Sequence, residues 1–108
     1  VRFDKEKLLK RISGDVEFYR QMLTISLDLK GYIDSLKLAI TTQDTALIRQ
    51  YAHRINGSAK NMAFERLSLL AKMIEYPDQY PEHPREALSD ALAEEWEGLR
   101  ELIVKELE

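Results

Sequence analysis

The chain has 108 residues, 44% of them hydrophobic, a net charge of −3, a pI near 5.5 and no cysteine. That length holds one hydrophobic core and not two, so residues 1–108 are read as one globular domain. The charge balance gives no reason to expect nucleic-acid binding, and the lack of cysteine excludes a disulfide framework, thiolate chemistry and Cys-based zinc. No apolar run approaches the roughly 18 residues of a membrane span, and no signal-type segment opens the chain, so direct membrane insertion is not expected.

In chain order, Phe3-Asp4 before Lys5 to Ile12 predicts a short first helix, with Asp4 as its cap and Phe3 placed to pack on Leu8. Gly14 ends it, and Asp15 caps a second helix. Its stripe of Tyr19, Met22, Leu23, Ser26, Leu29, Ile33, Leu36 and Ile40 is expected to run unbroken, with Gly31 tolerated inside. Phe18, Ile25 and Tyr32 widen that stripe beyond one core face.

Thr41-Thr42-Gln43 breaks the chain, and Asp44 caps a third helix reaching about Asn61, where any left-handed residue is expected to lie in preference to Ala63. A fourth helix from Phe64 to Glu75 carries Leu67, Leu70, Ala71 and Ile74 on one face. Tyr76 to Arg85, with Pro77, Pro81 and Pro84, is a loop. The last helix starts near Arg85, with Leu88, Leu92, Trp96, Leu99, Leu102 and Ile103 inward and Glu94, Glu95, Glu97, Arg100, Glu101 and Lys105 mostly outward. No β-type alternation competes. The expected fold is all-α: an antiparallel up-down four-helix bundle with an additional short N-terminal helix.

The third helix carries the candidate functional residues. Leu47, Tyr51, Ile55, Ser58, Ala59 and Met62 recur as its apolar face, and His53 lies about 160° from Ile55. His53 therefore shares the opposite face with Arg49, Asn56, Gly57 and Lys60. An interior glycine costs on the order of 1 kcal/mol relative to alanine, and open access to His53 is one reason to keep Gly57; close helix packing is the other.

The run Ala52-His53-Arg54-Ile55-Asn56-Gly57-Ser58-Ala59, followed by Ala63 and Leu67, resembles the signature of histidine-containing phosphotransfer (HPt) domains. Those domains read roughly Ala-His-x-Leu-Lys-Gly-Ser-Ala, then Gly or Ala, then Leu. Phe3-Asp4, Leu8-Leu9 and Gly14-Asp15 look like the family's opening helix and the break after it.

The resemblance implies that His53 accepts a phosphoryl group from the aspartate of a receiver domain and passes it to another. This is a phosphoryl carrier rather than a stand-alone catalyst, with no cofactor and no metal. The implied partner is the receiver domain of a response regulator or hybrid histidine kinase. A monomeric, cytoplasmic protein is expected, including as the C-terminal domain of a membrane-anchored sensor kinase.

Asn56 departs from the family pattern, which has lysine there. An amide can donate a hydrogen bond to the transferring group but brings no charge, so Arg49 and Lys60 are the candidate cations. The alternatives are a degenerate member, or an unrelated helical adaptor, that docks a partner without carrying phosphate. A receiver is expected to approach across Gly57, using the second helix as the flanking surface.

His83, between prolines, is expected to be an exposed loop residue. No Glu-x-x-His pair suggests a di-metal bundle, and no nucleophile turn suggests a Ser-His-Asp hydrolase.

Overall fold

A computed structural model describes residues 2–108. Six α-helices follow one another: α1 (Lys5–Arg11), α2 (Val16–Ser26), α3 (Leu29–Thr41), α4 (Thr45–Asn61), α5 (Glu65–Glu75) and α6 (Arg85–Leu107), with a 3-10 turn at Pro77–Gln79. Asp4, Asp15 and Asp44 start α1, α2 and α4, each accepting from the backbone N–H three residues on, at Lys7, Phe18 and Leu47. These are the expected caps, and each satisfies a donor that the first helical turn leaves free.

The second helix is not continuous. Leu27 and Asp28 keep right-handed angles, but Leu27, Asp28, Lys30 and Gly31 donate to the residue three back instead of four. Thr24 and Ser26 turn their hydroxyls onto the carbonyls of Arg20 and Leu23 just before this point, a contact that bends helices. α2 and α3 therefore form one arm with a tightened joint.

α4 packs between α3 and α5, and α6 closes the ring against α5, α3 and α2, which makes a four-membered bundle when α2 and α3 count as one arm. Leu23, Leu36, Ile48, Ile55, Phe64, Leu67, Ile74, Leu92, Trp96, Leu99 and Ile103 fill its centre.

On α4 the buried face runs through Ile48, Ala52, Ile55 and Ala59, while Leu47 is 37% exposed and Tyr51 and Ser58 are half-buried. The core face is thus turned from the expected stripe toward Ile48 and Ala52. Two positions on α6 also differ from expectation. Leu102 is exposed, and Glu95 is buried, where its carboxylate meets Arg2 at 3.3 Å and Arg66 at 3.4 Å. Gly98 makes room for this, because the Arg2 guanidinium lies directly over it.

α1 is tied across the end of the bundle. Phe3 packs edge-on against Phe64 at 5.3 Å and stacks near Tyr19, and the Arg11 guanidinium donates to the Lys60 carbonyl at the C-terminal end of α4. The Tyr19 hydroxyl donates to Glu106, which also pairs with Lys5 at 2.8 Å. Lys5, and then Tyr19, hold the Glu106 carboxyl below the usual carboxylate range.

Three helices end in the same way. After α1, α3 and α4 the residue just past the cap is left-handed, at Ser13 (φ 58°), Gln43 (φ 58°) and Ala63 (φ 60°). In each case the following N–H reaches back five residues: Gly14 to Leu9, Asp44 to Ala39 and Phe64 to Ala59. This is the Schellman closure with an L-residue where glycine is favoured.

The left-handed residue is therefore Ala63 and not Asn61, which stays helical. Ala63 is 2% exposed, so its methyl group recovers by burial part of what the backbone conformation costs. Gln43 is exposed and has no such offset. Gln43→Gly should therefore raise stability by about 0.5–1 kcal/mol, while Ala63→Gly should gain little or lose stability, because the buried methyl goes with it. Urea unfolding of the two variants checks the contrast; equal gains would mean that burial of Ala63 offsets nothing.

Candidate functional site

His53 sits midway along α4, and its side chain is 75% exposed. Its Nδ1 lies 2.7 Å from Oε2 of Glu75, the last residue of α5, whose carboxylate is buried. A carboxylate oxygen without a proton can only accept, so this contact favours the tautomer with the ring proton on Nδ1 and the lone pair on Nε2. The immediate neighbour of His53 is thus an acidic group from another helix, not the cations of its own.

Glu75 has a second oxygen, Oε1, that is buried without a hydrogen-bond partner among the described residues. Arg49, Arg85 and Asp78 line the recess in which Glu75 lies, so positive charge stands near the buried carboxylate. Burying a carboxylate costs several kcal/mol unless it is compensated, so Glu75 favours a ring that offers it an N–H.

α4 has two flanks, and the other expected site residues with side chains fall on or toward the one facing α5. On the flank facing α5, half-buried Asn56 accepts a hydrogen bond through Oδ1 from the Ser68 hydroxyl at 2.6 Å. That leaves the Asn56 amide N–H groups available as donors. Lys60 is exposed further along this flank, in a groove shared with Lys7, Arg11, Glu65, Ser68 and Lys72. Arg49 is exposed one turn before His53.

On the opposite flank, facing α3, the Arg54 guanidinium lies over the Tyr32 ring at 4.9 Å. There Met22, Ile25, Leu29, Tyr32 and Met62 line an apolar groove with Arg54 and Ser58. Ile25 is 67% and Phe18 46% exposed on the same arm.

Gly57 lies between the flanks. A Cβ built on it would meet nothing within 4 Å, so internal helix packing does not account for this glycine. His83 is exposed, and only its backbone is engaged, donating to the Tyr80 carbonyl.

Glu75 and Ser68 were not among the residues expected at the site. They stand seven apart on α5, one heptad, which places them on one side of that helix. This spacing was the available signal. It is masked because Leu67, Leu70, Ala71 and Ile74 dominate the helix and polar residues beside them read as solvated.

Comparison with known proteins adds a family assignment. A family model described as "Hpt domain" matches residues 22–105. Searches of curated proteins and of solved structures found no match. The matched span takes in α3, α4 and α5 whole, with both polar contacts between α4 and α5. On that match the chain belongs to the Hpt domain family, the phosphocarrier modules that meet receiver domains in two-component phosphorelays.

Proposed function

We propose that residues 1–108 act as one phosphotransfer domain in which His53 Nε2 is the phosphoryl acceptor. The observation that supports this most directly is the Nδ1 contact with Glu75, because it favours the tautomer that leaves Nε2 nucleophilic.

The reaction runs on an aspartyl phosphate of a receiver domain. The Nε2 lone pair attacks phosphorus, a P–N bond forms, the acyl P–O bond breaks and the aspartate leaves as a carboxylate. The ring then carries positive charge with its proton still on Nδ1, directly against the Glu75 carboxylate. Glu75 thus acts as a positioning residue whose attraction grows as the ring becomes cationic, and stabilisation that strengthens toward the transition state lowers the barrier. The same steps in reverse return the group to a second receiver.

Gly57 gives the receiver its approach. With no side chain at the middle of the exposed face, the partner's aspartate can reach Nε2 between the two flanks of α4. The apolar groove of Met22, Ile25, Leu29 and Tyr32, with exposed Phe18, is the contact area on the α2–α3 side. The Asn56 amide donates to a phosphoryl oxygen, and Arg49 and Lys60 add positive field along the α5 flank.

Incubation with a phosphorylated receiver domain should put acid-labile, base-stable label on His53. His53→Gln should abolish it while leaving helix content and melting temperature nearly unchanged, since the Gln amide can still donate to Glu75. Label persisting in that variant, or no label on the parent chain, would contradict the assignment.

Gly57→Leu should stop transfer from the receiver and raise stability by about 1 kcal/mol, because an open helical position loses its glycine penalty. Thermal melting and a transfer assay on this one variant are sufficient. A destabilised protein that still transfers would show that Gly57 serves the interior and not the approach.

A further inference from the structure

We propose that Lys72, on α5, supplies the positive charge at the transferring phosphoryl group, in place of the lysine that Asn56 displaces on α4. The inference rests on the reading of His53 as the phosphoryl carrier and adds a catalytic cation to it from the neighbouring helix.

α4 itself offers no cation at the required place. Asn56, one turn beyond His53, is uncharged and bonded to Ser68. Lys60 is seven residues from His53, about 10 Å of helix rise. Arg49 lies on the other side of His53 and opens onto the recess that holds Glu75 and Asp78, so two carboxylates share its field.

α5 does offer one. Ser68, Lys72 and Glu75 are spaced four and three apart and so form one stripe along the helix. The outer two reach α4: Ser68 bonds Asn56, and Glu75 bonds His53. Lys72 lies between these cross-helix contacts, so α5 presents it level with the stretch of α4 from His53 to Asn56.

It is exposed, takes part in no ion pair among the described residues, and lines the same groove as Ser68 and Lys60, whose one carboxylate, Glu65, is paired with Lys7. Helical side chains lean toward the N-terminus, which for α5 is the Ser68 end, away from Glu75 and toward the Asn56 amide. A lysine stem of four methylenes can then bring its ammonium to the oxygens of a group on Nε2. Phosphoryl transfer spreads negative charge over those oxygens, and a cation beside them stabilises the transition state more than the ground state. The Asn56 N–H and the Lys72 ammonium together would provide the transferring group with both a hydrogen bond and a positive charge.

The test measures the rate of His53 labelling with two donors. One is a receiver domain charged with acetyl phosphate; the other is phosphoramidate, which transfers its phosphoryl group to imidazole with release of ammonia and needs no protein docking. Lys72→Met, which keeps the side-chain length, should slow labelling by about tenfold or more with both donors. Lys72→Arg should stay close to the parent rate, and Asn56→Lys added to Lys72→Met should restore most of the loss.

Lys72→Met labelling at the parent rate would overturn the proposal. Slowing with the receiver alone would also overturn it, since Lys72 would then serve docking and not the chemistry. If the parent chain takes no label from either donor, the carrier reading itself fails, a result distinct from both.

Discussion

The contact between His53 and Glu75 is the constraint on which the functional geometry depends. It joins an exposed ring on α4 to a buried carboxylate on α5, so it exists only if the two helices are adjacent, antiparallel and in fixed register. The short connection through Met62, Ala63 and Phe64 provides that register, with Ala63 left-handed, Phe64 fully buried and its N–H closed onto Ala59. A different turn geometry would shift Glu75 relative to His53 and release the ring to either tautomer. The backbone of the α4–α5 turn and the nucleophilicity of one imidazole nitrogen are therefore linked through a single helix pair.

Two kinds of surface meet along α4. The α3 flank is apolar, with Tyr32 under Arg54 and Ile25 open to solvent; the α5 flank is polar and basic, with Ser68, Lys72 and Lys60. Gly57 divides them. The proposed function uses the first flank to hold an approaching protein and the second to stabilise the group it delivers, which places affinity and chemistry on different helices. On the proposed reading, this division lets α5 supply the charge that Asn56 on α4 does not.

Much of this was legible in the sequence. The aspartates at positions 4, 15 and 44 marked the helix starts, because a capping side chain followed by a helical apolar stripe has few other readings. His53 was placed on the open face by angular arithmetic, and the family motif around it was specific.

What could not be read depended on contacts between helices. The joint at Leu27–Asp28 comes from two hydroxyls bonding their own backbone, and nothing in the hydrophobic period reports it. The left-handed Ala63 runs against residue preference, and the burial of its methyl group that offsets part of the cost comes from tertiary packing. Glu95 looked like one more outward glutamate until Arg2 and Arg66 converged on it. Glu75 was hidden for the same reason: a single glutamate at a helix end carries no mark of the histidine it will meet 22 residues earlier in the chain.

The central claim is that Glu75 holds the His53 proton on Nδ1 and leaves Nε2 as the acceptor. Long-range nitrogen–proton NMR of the 15N-labelled chain reads this directly, before and after phosphorylation. The structure predicts a protonated Nδ1 in the free protein and phosphorus on Nε2 in the charged one, with the tautomer preference lost in Glu75→Ala. A proton on Nε2, or phosphorus on Nδ1, would contradict it.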